Sequence, residues 1–257
     1  MKIQRILLCL LFVLLVGCAT QPRHDTITQV STIDILLAGL YDGEMTLGEI
    51  LKYGDFGIGT FDRLEGEMIV LDGTVYQVKA DGSVHRPPAG MTTPFAAVSA
   101  FHGEKVVDLN QTLDFDGLCQ LLDATVDDPH LFYAIKVTGR FSHMHTRSVP
   151  AQQKPYPPLI EVAKEQPEFK MSNVSGTIVG YRCPEYVQGI NVPGYHLHFL
   201  SDDHTQGGHI LGFELDEGRA EIDTLNRFTL VMPRNADGRQ LLDLSRDRST
   251  ELESVER

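Results

Sequence analysis

GIGTFDRLEGEMIVLDGTVYQV, residues 57–78, is where the chain changes its hydrophobic period. Before it, apolar residues recur at helical spacing; within it they alternate. The alternation predicts strands over 57–61, 67–71 and 74–78. Asp72-Gly73 turns the second strand into the third, and Asp81-Gly82 turns the chain again.

Working outward toward the N-terminus, Ile33, Leu36, Leu37 and Leu40 share one helical face, with a cap expected at Ser31 or Thr32 and an end before Gly43. Thr46-Leu47-Gly48-Glu49 reads as a capping box opening a short helix that Gly54 stops. Toward the C-terminus a strand is expected near 95–101, then a helix over 115–125 that places Phe115, Leu118 and Leu122 together. A strand over 131–137 follows, continuing past Gly139 through Phe141 to residue 149. Pro155, Pro157 and Pro158 mark a junction, and a short helix at 159–165 is closed by Pro167. Beyond it the sequence reads as strand over 176–182, 194–200, 208–215, 220–225 and 227–232. The class is α+β, with antiparallel or mixed sheets carrying the core and a few helices beside them.

Lys2 and Arg5 precede eleven unbroken apolar residues, 6–16. That run is too short to cross a hydrocarbon core of about 30 Å as a helix, and suits the apolar centre of a signal sequence. Leu15-Val16-Gly17-Cys18 resembles the lipobox of bacterial lipoproteins. By that resemblance Cys18 is lipidated and heads the mature chain, and Ala19 favours the outer membrane of a Gram-negative host. A plain secretory signal is the alternative. The expected organisation is a signal peptide at 1–17, a polar tether at 18–28, an N-terminal α+β half at 29–155, a C-terminal antiparallel half at 156–236 and a tail at 237–257. Export permits a disulfide, yet Cys119 falls in an expected helix and Cys183 at a strand end, so two buried free thiols are expected.

A net charge of −13, with acidic residues spread along the chain, leaves no basic face for nucleic acid. The chemistry lies in GYHLHFL, residues 194–200. Alternate residues of a strand share a face, so His196 and His198 project together while Tyr195, Leu197 and Phe199 pack the other way. Residues 201–206 and Gly207-Gly208 turn the chain back, bringing His209 alongside. Three imidazoles with an open position suit catalytic zinc, at ligand distances of roughly 2.0–2.1 Å. The bland alternative is three histidines on one sheet face with no ion between them. His204 in the turn is expected to be solvated. Phe141, His143, His145 and Arg147 also share one face of a strand; His143 and His145 offer a second candidate metal pair, but with no third histidine nearby they are expected to line a pocket or face solvent.

Six segments together resemble the alpha-acetolactate decarboxylases: LYDGEMTLGEILKYGDFGIGTFDRLEGEMIVLDG (40–73), LFYAIKVTGRF (131–141), HTRSV (145–149), QQKPY (152–156), SGTIVGY (175–181) and GYHLHFLSDDHTQGGH (194–209). The resemblance implies two sheet-rich repeats meeting at a metal site, a homodimer, and conversion of (S)-2-acetolactate to (R)-acetoin and CO₂ in acetoin and butanediol biosynthesis. It implies Zn²⁺ or another divalent metal on His196, His198 and His209. Arg147 would face the substrate, Glu67 would be the catalytic acid, and Thr60 would lie near the substrate. A tail glutamate would approach the metal, Glu256 fitting best and Glu253 second. His143 and His145 stand where the family pattern allows other residues. The implied partner is the small-molecule substrate, with membrane contact only through the lipid anchor. Two alternatives are another metal-dependent enzyme on the same scaffold and a non-catalytic metal- or small-ligand-binding envelope lipoprotein.

Overall fold

A computed structural model of the chain describes residues 24–234, 243 and 245–256. The expected signal peptide, Cys18 and the start of the tether lie outside these residues, as do residues 235–242 of the tail. In chain order the first lobe comprises β1 (Thr26–Val30), α1 (Ile33–Leu37), β2 (Met45–Thr46) and α2 (Leu47–Ile50). It continues through β3 (Phe56–Thr60), β4 (Glu67–Leu71), β5 (Thr74–Val78), β6 (Val84–His85), β7 (Thr92–Thr93) and β8 (Ala96–Ser99). The alternating stretch becomes β3, β4 and β5, and Asp72-Gly73 makes the predicted hairpin turn. The capping box on α2 is complete: Thr46 accepts from the Glu49 amide, and the Glu49 carboxylate accepts from the Thr46 amide.

The second lobe follows with β9 (Lys105–Leu109), β10 (Leu113–Asp114), α3 (Phe115–Asp123), β11 (Phe132–Arg147), α4 (Leu159–Ala163), β12 (Glu168–Cys183), β13 (Gly194–Ser201) and β14 (Gly207–Leu225). The chain then returns to the first lobe as β15 (Arg227–Val231) and ends on α5 (Ser249–Glu256). The first sheet runs β15-β1-β8-β3-β4-β5-β6 and the second β10-β14-β11-β12-β13, with β13 also pairing β14. The two sheets bury Phe56, Ile58 and Ile69 of the first against Val179, Tyr181 and Leu200 of the second. Leu118 and Leu122 seal α3 onto the outer side of the second sheet. Among the described residues no helix is long and apolar enough to cross a membrane.

Three expectations are corrected. The tether does not extend to residue 28, because Thr26–Val30 is a wholly buried strand, parallel to β15 and antiparallel to β8. Gln29 is satisfied inside: its side-chain amide donates to the Ser31 carbonyl at 2.8 Å and accepts from Asn191, whereas the Thr26 hydroxyl is buried without a partner. A buried polar group costs little once its bonds are made. Next, the proline junction near 155 does not divide the sheets. β9, β10 and β11 lie before it yet belong to the second sheet, and β15 lies after it yet completes the first. Finally, the strands expected at 208–215 and 220–225 are one continuous β14. Gly139 of β11 pairs with both Gly176 of β12 and Gly218 of β14, so these glycines lie abreast where the long strands cross. Cys119 and Cys183 are free thiols, the second buried and the first half-buried.

Glycine sets the spacing between β12 and β13. A Cβ on Gly180 would fall 2.1 Å from the His196 carbonyl oxygen and 2.9 Å from Leu197 Cα. Gly180→Ala is therefore expected to destabilise the protein by about 1–3 kcal/mol or more, the range for overpacking. A urea unfolding midpoint unchanged from wild type would contradict this.

Candidate active site

β13 carries His196 and His198 on its inward face, and register places His209 of β14 directly opposite His198. Gly208, just before it, has φ +132°, and a Cβ there would meet the Arg147 carbonyl at 2.4 Å. Only glycine lets β14 come this close to β11. Ring centroids are 5.2 Å apart for His196–His198, 5.1 Å for His196–His209 and 5.4 Å for His198–His209. One nitrogen from each ring lies within 4.8 Å of the others. All three side chains are buried.

Their protonation follows from that burial. Desolvation first, and then the Arg147 guanidinium, hold His196 down to about 3 and keep His209 well below the ordinary imidazole range. Desolvation first, then His196, does the same for His198. Neutral imidazoles offer lone pairs, the form a metal requires. His198 Nδ1 is 2.9 Å from the Met68 carbonyl, to which it donates, so Nε2 is the acceptor nitrogen. That Nε2 is buried and has no hydrogen-bond partner. A buried lone pair without a partner costs free energy, and a divalent cation among the three rings satisfies it. The donor set and the unpartnered nitrogen both fit a metal.

Two carboxyl groups flank the rings. Glu67, the first residue of β4, brings Oε2 to 3.6 Å from His198 Nε2. Glu256, at the end of α5, lies 3.6 Å from His196 Nε2 and 3.9 Å from His209 Nε2. Burial pushes both up to about 7; Arg147 opposes the shift in each, and the charge of Glu256 adds to that of Glu67. Glu253 is exposed, so the tail presents Glu256 and not its alternative.

Arg147 ends β11, 3% exposed. It donates through Nη1 to Gln166 Oε1, while its Nε has no partner and it makes no ion pair among the described residues. A buried guanidinium with free donors awaits an anion. Thr60 pairs with Glu67 across β3–β4 and donates its hydroxyl to the Gly66 carbonyl at 2.8 Å. It lines the cavity, but its own proton holds the turn. With Leu36, Phe95 and Leu159 these groups enclose a small cavity of about 40 Å³.

His143 and His145 are not part of this lining. β11 carries register shifts between Arg140 and Phe141, Phe141 and His143, and His145 and Thr146. Each bulge changes which side chains face inward, so Phe141 and Arg147 are buried while His143 is exposed. His145 Nε2 instead lies 2.8 Å from Glu168 Oε2. His204 is exposed as expected.

Gln166, which steadies Arg147, went unnoticed in the sequence because it precedes Pro167 in a loop with no periodic signal. The docking of α5 was equally hidden. Eight residues are too few to hold a helix in water, and this one is anchored by buried Leu252 and Val255. Each such side chain stabilises by roughly 1.5–3 kcal/mol when fully buried.

The alpha-acetolactate decarboxylase sequence profile matches residues 27–243. The chain belongs to the alpha-acetolactate decarboxylase family. An alpha-acetolactate decarboxylase of Methanosarcina mazei is 45% identical over 243 residues, covering 95% of this chain and 84% of that one. That of Methylococcus capsulatus is 45% identical over 205 residues, covering 80% and 79%. The crystal structure of the decarboxylase from Bacillus subtilis strain 168 superposes with a TM-score of 0.87 at 38% identity, covering 90% of this chain and 99% of that one. The sheet-rich α+β fold is thus that of the decarboxylase family.

Proposed function

We propose that this acetolactate decarboxylase works on a divalent cation held by His196, His198 and His209, converting (S)-2-acetolactate to (R)-acetoin and CO₂ in acetoin biosynthesis. The observation that carries the reading is the unpartnered Nε2 of His198 among three neutral imidazoles, beside two carboxyls of raised pKa and an unpaired buried arginine. Bound there, the cation would supply a Lewis acid for the negative charge that develops as CO₂ leaves; the nitrogen donor set favours zinc. The guanidinium of Arg147 offers its fork to the substrate carboxylate and orients it. Breaking the carbon–carboxylate bond releases CO₂ and leaves an electron pair that takes up one proton at carbon. Glu67, whose burial raises its affinity for a proton, is placed to deliver it. Glu256 closes the other side, excludes water, and by its charge helps keep the proton on Glu67.

The test is acetoin formation from racemic acetolactate with and without a chelator. A non-catalytic binding lipoprotein forms no acetoin in either arm, and turnover that survives chelation removes the metal from the reading. Arg147→Lys keeps the charge but loses the two-point fork, and is expected to lower kcat/KM by about 10-fold or more. Wild-type kinetics in this variant would remove Arg147 from substrate binding.

The two sheets flanking the site are read as the two repeats that the resemblance implies. From the same resemblance, and from the lipobox ending at Cys18, we infer an exported homodimer anchored by lipid, on the outer membrane of a Gram-negative host.

A further inference from the structure

We propose that Arg248 and Asp34 are positioning residues for the reaction, a buried ion pair that holds α5 in the register at which Glu256 reaches the histidines. The inference rests on the role given above to Glu256.

Arg248 immediately precedes α5, and Asp34 lies in the first turn of α1. Arg248 Nη1 is 3.6 Å from Asp34 Oδ2, each residue is 8% exposed, and Arg248 also donates to the Asp243 carbonyl at 3.1 Å. Beside the pair, Gln188 donates to Asp247 at 3.3 Å. The pair thus pins one end of an eight-residue helix whose other end is Glu256. Between them, Leu252 and Val255 rest on an apolar floor that includes Ile33, Leu36 and Leu159.

The physical case is one of specificity. Two small apolar anchors can let a short helix slide or rotate by a residue, since neighbouring apolar positions on the floor are interchangeable. A buried ion pair adds little net stability over an apolar replacement, but it has one satisfactory partner and therefore one register. Register matters here because Glu256 lines both the catalytic cavity and a second cavity of about 350 Å³ beyond α5, lined also by Phe115, Tyr195 and Leu252. A shift of α5 withdraws the carboxyl from the histidines and joins the two spaces.

The experiment compares Arg248→Ala, Asp34→Asn, Glu256→Gln and the double variant Arg248→Ala/Glu256→Gln in the metal-loaded protein. Arg248→Ala and Asp34→Asn are expected to lose about 10-fold or more in kcat, the lower end of what a positioned proton-transfer group contributes, with KM changed less. Arg248→Lys should recover part of the loss. In the Glu256→Gln background the arginine replacement should cost nothing further, because a group acting through Glu256 has nothing left to position. Losses that multiply in the double variant, or near-normal kcat in Arg248→Ala beside an impaired Glu256→Gln, would overturn the proposal. If Glu256→Gln itself turns over normally, the role of Glu256 fails instead. Amide exchange across 249–256 then decides the latch: faster exchange in Arg248→Ala supports it, and unchanged exchange refutes it.

Discussion

Glu67→Gln is expected to lower kcat by about 10²–10⁴-fold, the usual contribution of a positioned general acid, while the fold and the bound metal persist. The amide keeps the shape of the carboxyl and fills the same place at the head of β4, 3.6 Å from His198 Nε2. It has no acidic proton to give. In the wild type, burial lifts Glu67 from the ordinary 4.5 to about 7. A carboxyl with raised pKa holds its proton below that value and loses it above. Turnover is therefore expected to fall as pH rises through a limb at or below about 7, a neighbouring cation favouring the charged form. Because the charge of Glu256 contributes to the elevation, Glu256→Gln should move the limb to lower pH. Stopped-flow acetoin formation across pH 5–9 measures both effects. Near-normal turnover in Glu67→Gln, or a profile indifferent to pH in the wild type, would assign the proton to another group.

Removal of the cation carries the other large effect. Stripping the wild type with a chelator is expected to cost about 10³-fold or more in kcat, corresponding to several kcal/mol of charge stabilisation. Activity should return when zinc is restored. His198→Ala should behave as the stripped enzyme does, and added zinc should not rescue it. This substitution also removes the hydrogen bond from His198 to the Met68 carbonyl, at a cost of about 0.5–1.5 kcal/mol, so some loss of thermal stability is expected beside the loss of metal. Elemental analysis supplies a readout apart from activity: wild type should hold about one cation per chain and the variant much less. A His198→Ala protein that retained stoichiometric metal would place the ion elsewhere.

Much of the site was legible because its signals are local. An H-x-H pair in a strand projects two imidazoles to one side whatever the strand packs against, and the short Gly207-Gly208 return made His209 the natural third. The capping box at Thr46 and the alternation through 57–78 are also local, and they reappear as α2, β3, β4 and β5. What failed was reading strand parity through irregular backbone. β11 looked like a single face from Phe141 to Arg147, but its bulges turn His143 and His145 away from the cavity while Arg147 turns in. No residue type in that stretch announces the extra residues. Polar composition likewise misled at Thr26–Val30, where Gln29 and Asn191 bond each other in the interior.

By itself the amino-acid sequence determined the α+β class and the three imidazoles, since both follow from periods of a few residues. Periodicity says nothing of Glu67, Arg147 and Glu256, which only the resemblance names; the tertiary structure brings them around those rings, because they arrive on separate strands and a terminal helix. It also decided their protonation, which depends on how completely the assembled lobes exclude water.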